Sequence, residues 1–314
     1  MRRCLPLLLA GAVALAACGP ASPPRAVTDD GAKQAAAPAP AVGSLEWAAA
    51  GPWRIDPERD RWRHPVETLR FWGLKPGMTV VEIFPGRGWY TAIVAPYLAR
   101  NGGRYIAASF DPATANPAQR ETLRIFTERF VDKPETFGSV TMTALSPAAG
   151  EIAAPGSADL VIIARNIHTL MGEGYAEKAF ADIYRALKPG GVLGVEQHRA
   201  SSTGVPDPQA TNGYVQEVVV KLIAQEAGFE FVGSSEVNAN PRDDRDHPFG
   251  VWTLPPTLRS APLGEAPDPR FDSAPYRAIG ESDRMTLKFR KPDPNAAAAP
   301  APAATADDKA GGKK

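Results

Sequence analysis

Apolar positions recur in two alternating rhythms between about residue 65 and residue 290. Short β-branched runs bounded by turn residues are separated by stretches with an apolar residue every three or four positions, the mark of strands alternating with helices. Pro65 to Trp72 has helical spacing and stops at Gly73. Val80-Val81-Glu82-Ile83-Phe84 then reads as a buried strand, broken by Pro85-Gly86-Arg87-Gly88 and followed by helical spacing at Tyr90, Ile93, Val94 and Tyr97. The pattern next predicts a strand over Arg104–Ser109, a helix over Ala118–Val131 and a short strand over Val140–Leu145. Asp159–Ala164 is apolar throughout after its first residue, as a central parallel strand covered on both faces would be. A helix over Tyr175–Leu187, a strand over Val192–Glu196, a helix over Tyr214–Ala227 and a strand over Phe229–Val237 follow. Arg284–Arg290 alternates polar and apolar, the pattern of an antiparallel strand with one solvated side.

These elements predict an α/β protein: a Rossmann-like, doubly wound, seven-stranded sheet whose last strand is antiparallel. In such sheets ligands bind outside the carboxyl ends of the strands, where a glycine turn lets the backbone approach a ligand and a helix N-terminus offers free N–H groups. The turn after Phe84 has that form, although a tight strand-to-helix turn needs glycine for geometry alone. Residues 238–282 lack any period and carry eight prolines between Pro241 and Pro275. Loops of this length are usually functional or unstructured. Phe249, Trp252, Phe271 and Tyr276 favour an ordered, lid-like insertion before the last strand.

The ends of the chain read differently. Arg2 and Arg3 precede an apolar run from Leu5 to Ala17, too short to span a bilayer as a mature helix. This is the pattern of an export signal covering residues 1–17. The ending Leu15-Ala16-Ala17-Cys18 resembles a bacterial lipobox, which implies that Cys18 is lipidated and becomes the mature N-terminus. Residues 18–44 form an Ala/Pro-rich linker of ~26 residues, reaching roughly 30 Å as a flexible coil. Residues 45–292 form the folded domain, and 293–314 a polar tail. Cleavage removes Cys4, so no intramolecular disulfide is possible, and leaves 35 − 2 = 33 bases against 35 acids. A nearly balanced charge gives no reason to expect nucleic acid as a partner. The expected partners are a small-molecule substrate and, through the lipid alone, a membrane facing the periplasm.

Four stretches together resemble the class I S-adenosylmethionine-dependent methyltransferases, and more narrowly an exported bacterial group of predicted methyltransferases. They are Val80–Thr91 (VVEIFPGRGWYT), Ser157–Val161, Arg185–Gly191 (RALKPGG) and Gly280–Phe289. The resemblance covers about Trp53 to Pro292 and implies S-adenosyl-L-methionine as cofactor. It assigns cofactor contacts to Glu82, Phe84, Pro85, Gly86, Gly88 and Trp89 around the first turn. Ser109 and Asp111 after the second strand, and Ala164 and Asn166 at the end of the fourth, complete the set. Glu82 would act indirectly, by fixing the loop or reaching the cofactor through water. Two positions depart from the family pattern. Phe84 stands where a glycine is usual, and Ser109 where an acidic residue accepts the ribose hydroxyls.

Methyl transfer needs an aligned nucleophile and, for a protonated acceptor, a base. The chain has only four histidines. His168 and His198 follow the fourth and fifth strands, so both are candidate catalytic bases at one crevice. His64 and His247 fall in polar segments suited to a lid. No tight metal-ligand spacing is present. The competing expectation is a non-catalytic protein that uses the same fold to hold a nucleoside-like or other small ligand. Export favours it, since the cofactor is made in the cytoplasm.

Overall fold

Val80, Val81 and Ile83 alternate across a strand whose two faces are both covered, which is why so short a run is apolar throughout. The computed structural model describes residues 38–295; Cys18, the apolar run before it and residues 296–314 lie outside them. The strands are β1 (Thr79–Ile83), β2 (Arg104–Ser109), β3 (Val140–Ala144), β4 (Ala158–Ala164), β5 (Leu187–His198), β6 (Glu230–Ser235) and β7 (Arg284–Arg290). They form one sheet in the order β3-β2-β1-β4-β5-β7-β6. β1 to β5 pair in parallel, while β7 runs antiparallel to both β5 and β6.

The helices named here are α1 (Leu45–Ala49), α2 (Pro65–Trp72), α3 (Thr91–Arg100), α4 (Pro117–Phe126), α5 (Ile167–Gly172), α6 (Ala176–Ala186), α7 (Glu217–Glu226) and α8 (Ala274–Ile279). On one face of the sheet, Val81, Ile83, Val161, Ile163 and Leu193 pack with Phe180, Ile183 and Val220 of α6 and α7. On the other, Val80, Leu160 and Ile162 pack with Leu69 and Trp72 of α2 and Ile93 and Leu98 of α3. Among the described residues no helix is long and apolar enough to cross a membrane.

Several boundaries differ from the sequence pattern. β5 is assigned from Leu187, because Leu187 pairs with Ala158, but the Lys-Pro-Gly-Gly stretch bulges out of register, with Gly190 at φ +76°, and regular pairing resumes at Val192 opposite Leu160. α7 begins at Glu217 rather than Tyr214, because the Val215 N–H is taken by the His198 carbonyl. α4 ends at Phe126 and continues as a wider π turn over Thr127–Val131. The expectation that β7 has a solvated side fails. The segment before α2 and the 238–282 segment cover that face, so Arg284 and Thr286 are buried; Arg284 Nη2 donates to the Trp62 carbonyl at 2.6 Å, and Thr286 Oγ1 accepts from Asn238 Nδ2 at 2.9 Å.

The 238–282 segment is held by buried polar anchors. Asn240 Nδ2 donates to the Ile279 and Glu281 carbonyls, and Asp243 accepts from Tyr214 Oη and the Asp283 N–H. These contacts bring residues 251–257 over the carboxyl ends of β4 and β5.

Candidate functional site

The β1 turn joins a buried strand to α3. Glu82 is buried at the strand end and accepts hydrogen bonds from Thr91 Oγ1 at 3.0 Å and from Tyr105 Oη. Burial pushes its carboxyl up to about 7, against those two hydroxyls. Because Thr91 opens α3, Glu82 ties the helix start to β1 and faces hydroxyls rather than a ligand. Phe84 has left-handed backbone, φ +46°, and its ring stacks on Phe110 at 5.0 Å. Its side chain packs in the core cluster under the sheet. Its carbonyl accepts from Asn166 Nδ2 at 3.1 Å; that amide also donates to the Ala164 carbonyl at 2.9 Å. Asn166 thus clamps the end of β4 to the β1 turn.

Pro85 is buried, and its carbonyl accepts the Gly88 N–H at 2.8 Å. At Gly88 a Cβ would lie 2.1 Å from the Phe130 ring, so this glycine makes room for core. Gly86, at φ +58°, faces open space and is the glycine a ligand can approach. Trp89 is buried and packs against the guanidinium groups of Arg54 and Arg63, at 5.2 and 4.8 Å. Ser109 is buried at the end of β2, whereas Asp111 stands beyond it half-exposed. Oδ1 of Asp111 accepts the Ala113 N–H at 2.9 Å, and Oδ2 has no protein partner among the described residues. Ala164 is buried at the end of β4.

A cavity of about 240 Å³ opens at the carboxyl ends of β4 and β5. Arg59, Arg63, Arg165, His168, His198, Trp252, Glu281 and Ser282 supply most of its wall. The two imidazoles lie 5.6 Å apart, centroid to centroid. They are not equivalent. Gln197 Oε1 accepts the Ile167 N–H at 3.2 Å, which makes Gln197 Nε2 the donor to the Gly213 carbonyl and to His168 Nδ1. His168 therefore accepts at Nδ1 and carries its proton on Nε2. His198 Nδ1 is 2.6 Å from Ser282 Oγ. With Nδ1–H donating there, Nε2 keeps a lone pair. Burial holds His168 down to about 4, partly offset by the Gln197 hydrogen bond. Burial, then the neighbouring His168 and the positive charges of Arg165, Arg284 and Arg63, hold His198 well below its usual range. Both rings are neutral at pH 7. In that tautomer His198 Nε2 is the free acceptor of the pair, and His168 Nε2–H the donor.

Glu196 is fully buried and tied to Arg165, Arg284 and Tyr90. His247 bonds Asp243 at 2.8 Å, and His64 joins two helical turns; neither lines the cavity. No residue of the Pro85–Trp89 turn lines it either, so the turn and the cavity are neighbouring but distinct places.

The sheet order, with one antiparallel strand inserted beside the edge, decides the fold. The fold is the seven-stranded methyltransferase fold. Solved structures share it: the [4+2]-cyclase SpnF is 17% identical, with a TM-score of 0.51 over 78% of this chain and 86% of the cyclase. A SAM-dependent methyltransferase from Aquifex aeolicus is 24% identical over 58% of this chain and 88% of its own, at a TM-score of 0.45. Phosphoethanolamine N-methyltransferase 2 from Haemonchus contortus, solved with S-adenosyl-L-methionine, is 18% identical over 74% of this chain and 53% of its own, at 0.46. No protein-family model and no curated protein matches the chain. One of these neighbours is named for a cyclisation, so the methyltransferase fold by itself does not fix the reaction.

Sequence reasoning brought His168 and His198 to one place but passed over Arg59, Arg63, Glu281 and Ser282. Arg59 and Arg63 look like a solvated charged run in Arg59-Asp60-Arg61-Trp62-Arg63-His64. Their partner Glu281 is 222 positions from Arg59, and no local signal links the two.

Proposed function

We propose that this chain is an S-adenosyl-L-methionine-dependent methyltransferase for a small molecule, held at the cell envelope by a lipid on Cys18. The observation that carries the reading is the pair of adjoining places at the strand ends. One is an open glycine turn after β1; the other is a histidine-bearing cavity after β4 and β5. The turn suits the cofactor at Gly86, whose backbone is open to a ligand, and at Asp111, whose free carboxylate oxygen can accept a ribose hydroxyl. Glu82 supports the turn through Thr91.

When bound, the cofactor supplies an electrophilic methyl on a sulfonium. His198 Nε2 takes the proton that the acceptor loses, with Ser282 orienting the ring through Nδ1. His168 donates from Nε2–H to a polar group of the acceptor, its tautomer set by Gln197. Trp252 and Pro255 exclude water from that side of the cavity.

Calorimetric titration of the full chain with S-adenosyl-L-methionine and S-adenosylhomocysteine tests the reading. Both should bind, and Gly86→Val should weaken binding by about tenfold or more, an energy change of ~1.4 kcal/mol. Absence of heat with either ligand would overturn it.

A further inference from the structure

Four guanidinium groups converge on two buried carboxylates at the floor of the cavity. Arg59 and Arg63 donate from Nε to Glu281 at 2.6 and 2.9 Å. Arg284 bridges Glu281 and Glu196 at 3.0 and 3.2 Å, and Arg165 Nη1 donates to Glu196 at 2.9 Å. Burial raises both carboxyls, but the arginines outweigh it and hold each down to about 2, so both are ionised. The cluster therefore carries 4 − 2 = 2 excess positive charges, because the two histidines are neutral. Asp56 lies 3.9 Å from Arg59 but is exposed, where water screens the contact. Burial first, and then the neighbouring arginines, pull Arg63 down to about 9, against the Glu281 carboxylate.

The donors are as unbalanced as the charge. Among the described residues the side chains of Arg59 and Arg63 hydrogen-bond protein only through Nε, and that of Arg165 only through Nη1. The forked ends of Arg59 and Arg63, and Nε and Nη2 of Arg165, have no protein acceptor, and all three residues line the cavity. These unpaired edges open on the cavity, where an anion can reach them. A guanidinium fork fits the paired oxygens of a carboxylate or phosphate, and several such forks around one space describe an oxyanion receptor. Arg165 also holds left-handed backbone at φ +59°, a strained conformation kept by its N–H to the Glu196 carbonyl at 2.6 Å. Val251, Trp252 and Pro255 supply an apolar wall opposite for the rest of a ligand.

We propose that this cavity binds the phosphate or carboxylate group of a small molecule. Resting on the methyltransferase reading, that molecule is the acceptor substrate. A bound dianion brings the cluster to neutrality.

The experiment titrates the full chain with inorganic phosphate, glycerol 3-phosphate and acetate at constant ionic strength, with glycerol as the neutral control. At least one of the anions should bind and glycerol should not. Arg59→Gln should weaken that binding by about tenfold to a hundredfold, the worth of charged hydrogen bonds. This variant leaves Glu281 paired with Arg63 and Arg284, so its thermal midpoint without ligand should match the parent. Binding no stronger than chloride at equal ionic strength, or equal binding by Arg59→Gln, overturns the proposal. S-adenosyl-L-methionine is titrated separately. Anion binding without cofactor binding removes the acceptor assignment and leaves the anion site standing; the reverse result removes the anion site alone.

Discussion

Gly86 and Gly88 stand two residues apart in one turn, both with left-handed backbone, at φ +58° and +83°. Gly86→Ala meets open space and should cost about 1 kcal/mol, the backbone strain alone. Gly88→Ala adds a collision with the Phe130 ring and should cost roughly 3 kcal/mol or more. Urea unfolding of the two variants measures the difference, and equal losses would refute the assignment of Gly88 to the core. The pair also marks the limit of what the residues alone disclose. Pro-Gly-Arg-Gly announces a turn, but which glycine faces solvent depends on Phe130, 42 positions later (130 − 88) and on another element. Phe84 is similar. Its ring turns into the core because Phe110 stacks on it from beyond β2.

β1, β2 and α3 meet at a single buried carboxyl, and that joint sets a pH dependence. Glu82 titrates near 7 when folded, raised from an ordinary 4.5 by burial. The folded chain therefore binds more protons than the unfolded one between those values, and stability falls as pH rises through 7. The shift from 4.5 to about 7 corresponds to at most about 3 kcal/mol lost between pH 5 and pH 8. Glu82→Gln keeps an oxygen acceptor for Thr91 and Tyr105 but cannot ionise. Its urea midpoint should stay flatter than the parent's over that range; an unchanged slope would assign the effect to other groups. Elements of this kind were legible in the sequence, since runs such as Leu160-Val161-Ile162-Ile163 are apolar only where a strand is covered on both faces. The start of β5 was not. Proline and two glycines form the bulge they suggest, but Leu187 before them already pairs with Ala158, a contact with no local signal.

At the scale of the molecule, the proposed lipid anchor is the most direct thing to test. Cys18→Ser should leave the protein either free of the membrane or with its signal uncleaved. Fractionation with mass spectrometry of the N-terminus reads this, and membrane retention of an unlipidated mature chain would rule the anchor out. The convergence of His168 and His198 was readable from strand order alone, because neighbouring parallel strands end on one side. The arginine floor was not, because Arg59, Arg165 and Glu281 meet only through the whole sheet. β7 gives that assembly a direction in time. It fills the gap between β5 and β6 and carries Arg284, while Glu281 lies three residues before it. A chain emerging N-terminus first has therefore released its first six strands before the slot can close. Until residue 290 is free, β6 has no neighbour, and Arg59, Arg63 and Arg165 lack Glu281 and Arg284. Glu281 and Arg284 are the last of the cavity's charges to be released, so the full set exists only once β7 has entered the sheet.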